Sequence, residues 1–189
     1  MKLLSICILT LNDRIEYLNS ILKQIDNQVN DYNEIEVIYI GECRKTTKKN
    51  CKNSHRTIGE KRNYLKAIAK GKYIIMIDDD DRISPDYVSE LLDIIKTKYY
   101  DCITFNSLYT CKNYEKIVRY DLKYKFDLTT ETHFERMPDQ KCCIKRELIE
   151  NIMFPHISWG EDSAFARAIN PVIKTHYHIN KTLYYHDDF

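Results

Sequence analysis

Four consecutive aspartates, Asp78 to Asp81, follow the apolar run Tyr73 to Ile77 in the stretch KYIIMIDDDDRISP, which Pro85 closes. Adjacent carboxylates repel one another, so a positive partner is expected beside them. A divalent cation is the simplest one. Hard oxygen ligands in a D-x-D spacing suit Mg²⁺ or Mn²⁺, ions that typically keep open positions for the phosphate oxygens of a substrate. A solvated acidic turn is the plain alternative. An EF-hand is excluded, because the run lacks the glycine at loop position six and the glutamate at position twelve.

The elements around this run must place it. Tyr73 to Ile77 reads as a buried strand, and in open α/β sheets ligands bind at the carboxyl ends of strands, where these aspartates fall. Leu3 to Thr10 and Ile35 to Ile40 read as two more apolar strands. Between them Ile15, Leu18, Ile21, Leu22 and Ile25 recur at helical spacing after a cap at Asn12 or Asp13. Glu60 to Lys70 reads as a short helix capped by Gly71, and Ser84 with Pro85 opens another to about Lys98. This β-α-β alternation implies a largely parallel sheet with helices on both faces.

The second half is less regular. Cys102 to Phe105 reads as a strand, Leu108 to Tyr124 as a pair of polar, Tyr-rich strands or an edge loop, and Phe126 to Gln140 has no pattern. Cys142 to Lys145 is short and apolar, and Arg146 to Ile152 is helix-like. Glu161 to Ile169 forms a helix that Pro171 ends, and Val172 to His178 and Thr182 to His186 are strand candidates.

Composition bounds the rest. A length of 189 residues favours one domain, with a regular half over residues 1–100 and a less regular half over 101–189. Net charge is +1, so no global field recruits nucleic acid or membrane, and the basic run Arg44 to Arg56 reads as a solvated loop. Seven cysteines without C-x-x-C spacing fit reduced thiols and a cytoplasmic location better than a disulfide framework. The apolar opening MKLLSICILTL lacks a small-residue cleavage site and reads as a strand, and no run is long enough for a membrane span.

In order along the chain, ILTLN (8–12), IGEKRN (58–63), IDDDDRISP (77–85), WGEDSAF (159–165) and LYYH (183–186) resemble the motifs of family 2 glycosyltransferases, the inverting group of the GT-A fold. Leu9 and Leu11 depart from the family's usual proline and tyrosine, and Gly41-Glu42 replaces its acidic pair after the second strand. The resemblance implies a nucleotide-sugar donor, a UDP-sugar first among them, and a glycan or other hydroxyl acceptor. It implies that Asp80 holds Mn²⁺ or Mg²⁺ and that Asp78 faces the donor ribose. Asp79 points the other way along the strand, to a more structural position beside the donor. Asp162 is implied as the base that takes the acceptor proton, with Glu161 as its orienting neighbour. An acidic first turn that complements a helix dipole would also explain this pair.

Other residues are read from their chemistry beside that resemblance. Thr10 and Asn12 follow the first strand, and Glu42, after the second, is placed to accept a hydrogen bond from a base N–H. Arg62 offers a guanidinium fork to the diphosphate, and Gly59 permits close backbone approach. Trp159 presents a face to a sugar ring or anchors the core. His186 completes a metal shell or touches phosphate. Two rivals stand beside this reading. A nucleotidyltransferase would need a glycine-rich phosphate loop, which Leu11-Asn12-Asp13-Arg14 does not supply, and a degenerate carbohydrate-binding or assembly domain would keep the sheet without turnover.

Overall fold

The structure, a computed structural model, describes residues 1–11, 14–29, 33–40 and 56–188. Strand β1 (Leu4–Leu9) lies between two parallel partners. Helix α1 (Ile15–Asp26) leads to the first of these, β2 (Ile35–Ile40), and α2 (Ile58–Ile68) leads to the second, β3 (Tyr73–Asp78). Successive side chains of a strand point to opposite faces, so a strand apolar at every position must be covered twice. Leu4, Ile6 and Ile8 of β1 pack with Leu18, Ile21 and Ile25 of α1, while Cys7 and Leu9 pack with Leu65 of α2. Each fully buried Leu or Ile contributes roughly 1.5–3 kcal/mol relative to exposure.

After β3 the chain makes the two-residue strand β4 (Arg82–Ile83) and helix α3 (Tyr87–Thr97), whose Val88, Leu91 and Ile95 join the α1 side of the core. Helices therefore cover both faces, as the alternation predicts. Their ends differ in detail. Helix α2 starts at Ile58 because Thr57 and Glu60 form a reciprocal capping box. Helix α3 starts at Tyr87, beyond Ser84, whose hydroxyl donates to Asp86 at 2.6 Å.

The second half extends the sheet with mixed polarity. Strand β5 (Cys102–Cys111) forms an antiparallel hairpin with β6 (Tyr114–Tyr120), so the Tyr-rich stretch is a strand pair. The patternless stretch contains β7 (Leu128–Thr129) and β8 (His133–Arg136), both short and solvent-facing, which is why no buried periodicity marks them. Strand β9 (Cys143–Lys145) fits antiparallel between β3 and β5. Helices α4 (Arg146–Ile149) and α5 (Glu161–Ile169) follow. Helix α4 stops early because the Lys66 ammonium takes the carbonyls of Ile149, at 2.8 Å, and Ile152.

The two strand candidates at the end are one strand, β10 (His176–Asp188), parallel to β5 and antiparallel to β4. Its register shifts between Ile179 and Tyr184, where polar Asn180 and Lys181 interrupt the alternation. Beyond that shift β10 carries Tyr184 and His186 to the aspartate run. Among the described residues, the five cysteines are free thiols and no helix is long and apolar enough to cross a membrane.

Candidate active site

The aspartate run begins where β3 ends. The Asp78 amide donates to the Tyr184 hydroxyl at 3.2 Å, and the Asp81 amide turns back to the Asp78 carbonyl at 3.3 Å. Each carboxylate then has its own partners. Asp78 pairs with Arg62 at 3.0 Å and Lys141 at 3.7 Å. Burial works against its charge, but these two cations hold its carboxyl below the ordinary value. Asp79 is buried, takes the Thr10 hydroxyl and meets Arg14 at 3.2 Å. Asp80, the most exposed of the four at 37% of its side chain, meets Arg14 at 2.6 Å. Asp81 is sealed, with Tyr184 donating to one oxygen and Lys141 3.6 Å from it.

The second acidic cluster opens α5. Gly160 has φ of 78°, a left-handed conformation that L side chains rarely adopt, and it turns the chain into the helix. Glu161 is buried and Asp162 is only partly so. Burial raises the Glu161 carboxyl, partly offset by Arg62. Asp162 accepts the Ser163 amide at 2.6 Å.

Arg62 joins the clusters. Its guanidinium, 6% exposed, lies 3.0 Å from Asp78 and 3.4 Å from Glu161. Arg62, expected to reach a diphosphate, is thus engaged by carboxylates from both ends of the chain. The rest of IGEKRN grips the segment leading to Asp162. Asn63 exchanges two hydrogen bonds of 2.9 Å with the Phe154 backbone. A Cβ on Gly59 would collide with the Pro155 carbonyl, so glycine here serves helix-to-loop packing.

A cavity of about 380 Å³ lies against these groups, lined by Asp162, Tyr184, His186, Lys141, Asp139 and the aromatic side chains of β5, β6 and β8. Asp80 faces Arg14 and is not on its wall. Trp159, 90% exposed, is no core anchor and borders a second hollow beside Glu161 and Asp162. Asn12 and Glu42 lie outside the described residues.

Asp139 and Lys141 were not singled out from the sequence. They sit at the end of the patternless stretch and just beyond it, and their one signal is a polar Asp-Gln-Lys ahead of the apolar residues that lead into strand β9. Burial pushes the Asp139 carboxyl up to about 6, with Lys141 only partly offsetting it. Burial also opposes the charge of Lys141, but Asp81 and Asp78 more than compensate and raise its pKa.

Among the described residues no three His, Cys, Asp or Glu side chains already converge as a metal site. Two orphaned atoms nevertheless suit one. Oδ1 of Asp81 and Nδ1 of His186 are buried without a hydrogen bond and face each other at 2.8 Å. That separation is close to the edge of an octahedron with bonds of about 2.0–2.1 Å.

The family model described as glycosyl transferase family 2 matches residues 5–165. The chain belongs to that family. No curated protein sequence matches this chain. Among solved structures it is similar to S. aureus TarS 1-349, at a TM-score of 0.77 and 18% identity over 99% of this chain. The same TarS fragment in complex with UDP-GlcNAc gives 0.76 and 17% over 100% of it. The mannosyltransferase PcManGT from Pyrobaculum calidifontis, in complex with GDP-Man and Mn²⁺, gives 0.65 and 12% over 96%. The chain spans 60%, 59% and 56% of those three chains. These similarities are of fold, a mixed α/β architecture of GT-A type with a mostly parallel central sheet.

Proposed function

We propose that this glycosyltransferase moves a sugar from a nucleotide-diphosphate donor, a UDP-sugar first, to an acceptor hydroxyl with inversion. The observation that carries the proposal is the single Arg62 guanidinium shared by Asp78 and Glu161, which ties together two acidic motifs remote in sequence. In this reading the donor lies along the carboxyl ends of β1 to β3, near Thr10, Asp78 and Asp79. Asp162, the least committed carboxylate of its cluster, takes the acceptor proton. The acceptor oxygen bonds to the anomeric carbon as the bond to the leaving diphosphate breaks, and such a base contributes about 10²- to 10⁴-fold.

Asp80 and His186, with Asp81 beside His186, would hold Mn²⁺ or Mg²⁺. That ion, when bound, neutralises charge that develops on the leaving diphosphate. Arg62 acts by fixing Asp78 and Glu161, and Gly59 and Asn63 act by fixing the segment that delivers Asp162.

A thermal-shift panel of UDP-GlcNAc, UDP-glucose, UDP-galactose and GDP-mannose, with and without Mn²⁺, tests the donor reading, because a ligand of the native state raises its apparent stability. A shift for at least one donor that grows with Mn²⁺ is expected. No shift with any nucleotide sugar contradicts it. Donor binding without nucleoside diphosphate release in the presence of acceptors would favour the non-catalytic domain instead.

A further inference from the structure

The aromatic cavity has a chemistry of its own. Tyr109 stacks on His186 at 5.2 Å, meets Phe134 edge-on at 5.6 Å and lies 6.0 Å from Tyr114. These contacts fix the rings as one wall. Its about 380 Å³ falls at the small end of ligand clefts, roughly 300–1,000 Å³.

The charges around these rings are not equally available, and the Arg136 guanidinium itself lies 4.9 Å over the Phe134 ring. Arg136 donates to the carbonyls of Leu128 and Glu135 at 3.2 and 3.0 Å and lies 3.9 Å from Asp127. Lys141 is flanked by Asp78 and Asp81. The carboxylates are freer. Oδ1 of Asp139 accepts the Lys141 amide at 2.8 Å, and among the described residues its other oxygen has no hydrogen bond. Asp162 is in the same state after its bond from Ser163. A ring-shaped ligand with apolar faces and hydroxyls on its rim meets both the aromatic rings and these carboxylate oxygens, whereas an anion would bring like charge to them.

We propose that this cavity is the acceptor subsite for one neutral glycosyl unit, packed against the wall that Tyr109 and Phe134 line, and that Asp139 is its positioning carboxylate, accepting a hydroxyl adjacent to the one Asp162 deprotonates. The inference rests on the glycosyltransferase reading and names its acceptor class. The groups that face Asp139 are Lys141 and Arg62, which favour its charged form, and Asp162, which opposes it.

The test uses the whole chain with UDP-GlcNAc, UDP-glucose, UDP-galactose and GDP-mannose as donors and Mn²⁺. p-Nitrophenyl β-glycosides of glucose, galactose and N-acetylglucosamine serve as neutral acceptors, with glycerol 3-phosphate as the anionic one. At least one neutral glycoside is expected to accelerate nucleoside diphosphate release, and glycerol 3-phosphate is not. Asp139→Asn should raise the acceptor KM about tenfold or more, the loss expected when a hydrogen bond to a charged group is weakened, while the donor KM stays within about twofold. The acceptor KM of the native chain should also rise below about pH 6, and this rise should vanish in Asp139→Asn. Phe134→Leu should raise the acceptor KM independently of that charge. A preference for glycerol 3-phosphate, an unchanged acceptor KM in Asp139→Asn, or donor binding without use of any neutral glycoside overturns the inference and leaves the donor reading standing. Absence of any donor-induced thermal shift overturns both.

Discussion

The two acidic clusters handle their charge in opposite ways. In Asp78 to Asp81 the chain supplies partners for each carboxylate, drawn from Arg14, Arg62, Lys141, Thr10 and Tyr184. At the start of α5, Glu161 is tied to Arg62 while Asp162 keeps an oxygen turned to the cavity. The first cluster is a balanced electrostatic frame, so losing a partner there costs stability. In the second cluster Asp162 is the proposed base, so its loss is expected to cost chemistry.

The largest expected effect separates these two costs. Asp162→Asn should lower transfer about 10²- to 10⁴-fold, read as nucleoside diphosphate release, with an unchanged urea midpoint. Arg62→Met should do the reverse in kind: it strands Asp78 and Glu161, and breaking a buried pair costs about 3–5 kcal/mol in urea unfolding. Equal stability in this variant would dissolve the contrast.

Acid dependence sharpens it further. Asp78 has a folded pKa below the unfolded one, so its stabilisation is present above about 3.8 and is lost as pH falls through the folded value. Asp139 has the opposite sign. Raised to about 6, it favours the folded state below about 3.8 and loses that contribution as pH rises towards 6. Asp139→Asn is therefore expected to raise the Tm at pH 7.5 and to leave it unchanged near pH 3.5, a stabilisation obtained at the expense of acceptor binding. An equal shift at both pH values would show that its charge is not what strains the fold. The smallest effect belongs to Trp159→Ala, within about 0.5 kcal/mol for so exposed a side chain, while the acceptor KM rises.

The first half of the chain was legible because its signals are local. Leu4 to Leu9 and Tyr73 to Ile77 are apolar at nearly every position, as strands covered on both faces must be, and Leu18, Ile21 and Ile25 keep helical spacing. Glu161 and Asp162 were legible as an acidic helix start, while the positive φ that calls for glycine at position 160 was not. Partners were not legible. That Arg62 would meet carboxylates, or that Lys66 would stop α4, depends on side chains brought together across more than 80 residues of sequence. Asp139 and Lys141 escaped notice because their segment packs through short, half-exposed strands whose pattern resembles a loop.

The central claim is one displacement, driven by one carboxylate, across the cleft that Arg62 spans. Proton NMR of the first product formed from an α-linked donor such as UDP-GlcNAc reads that directly through the anomeric coupling. The account predicts a β-glycoside, and an α-glycoside as the initial product would contradict it.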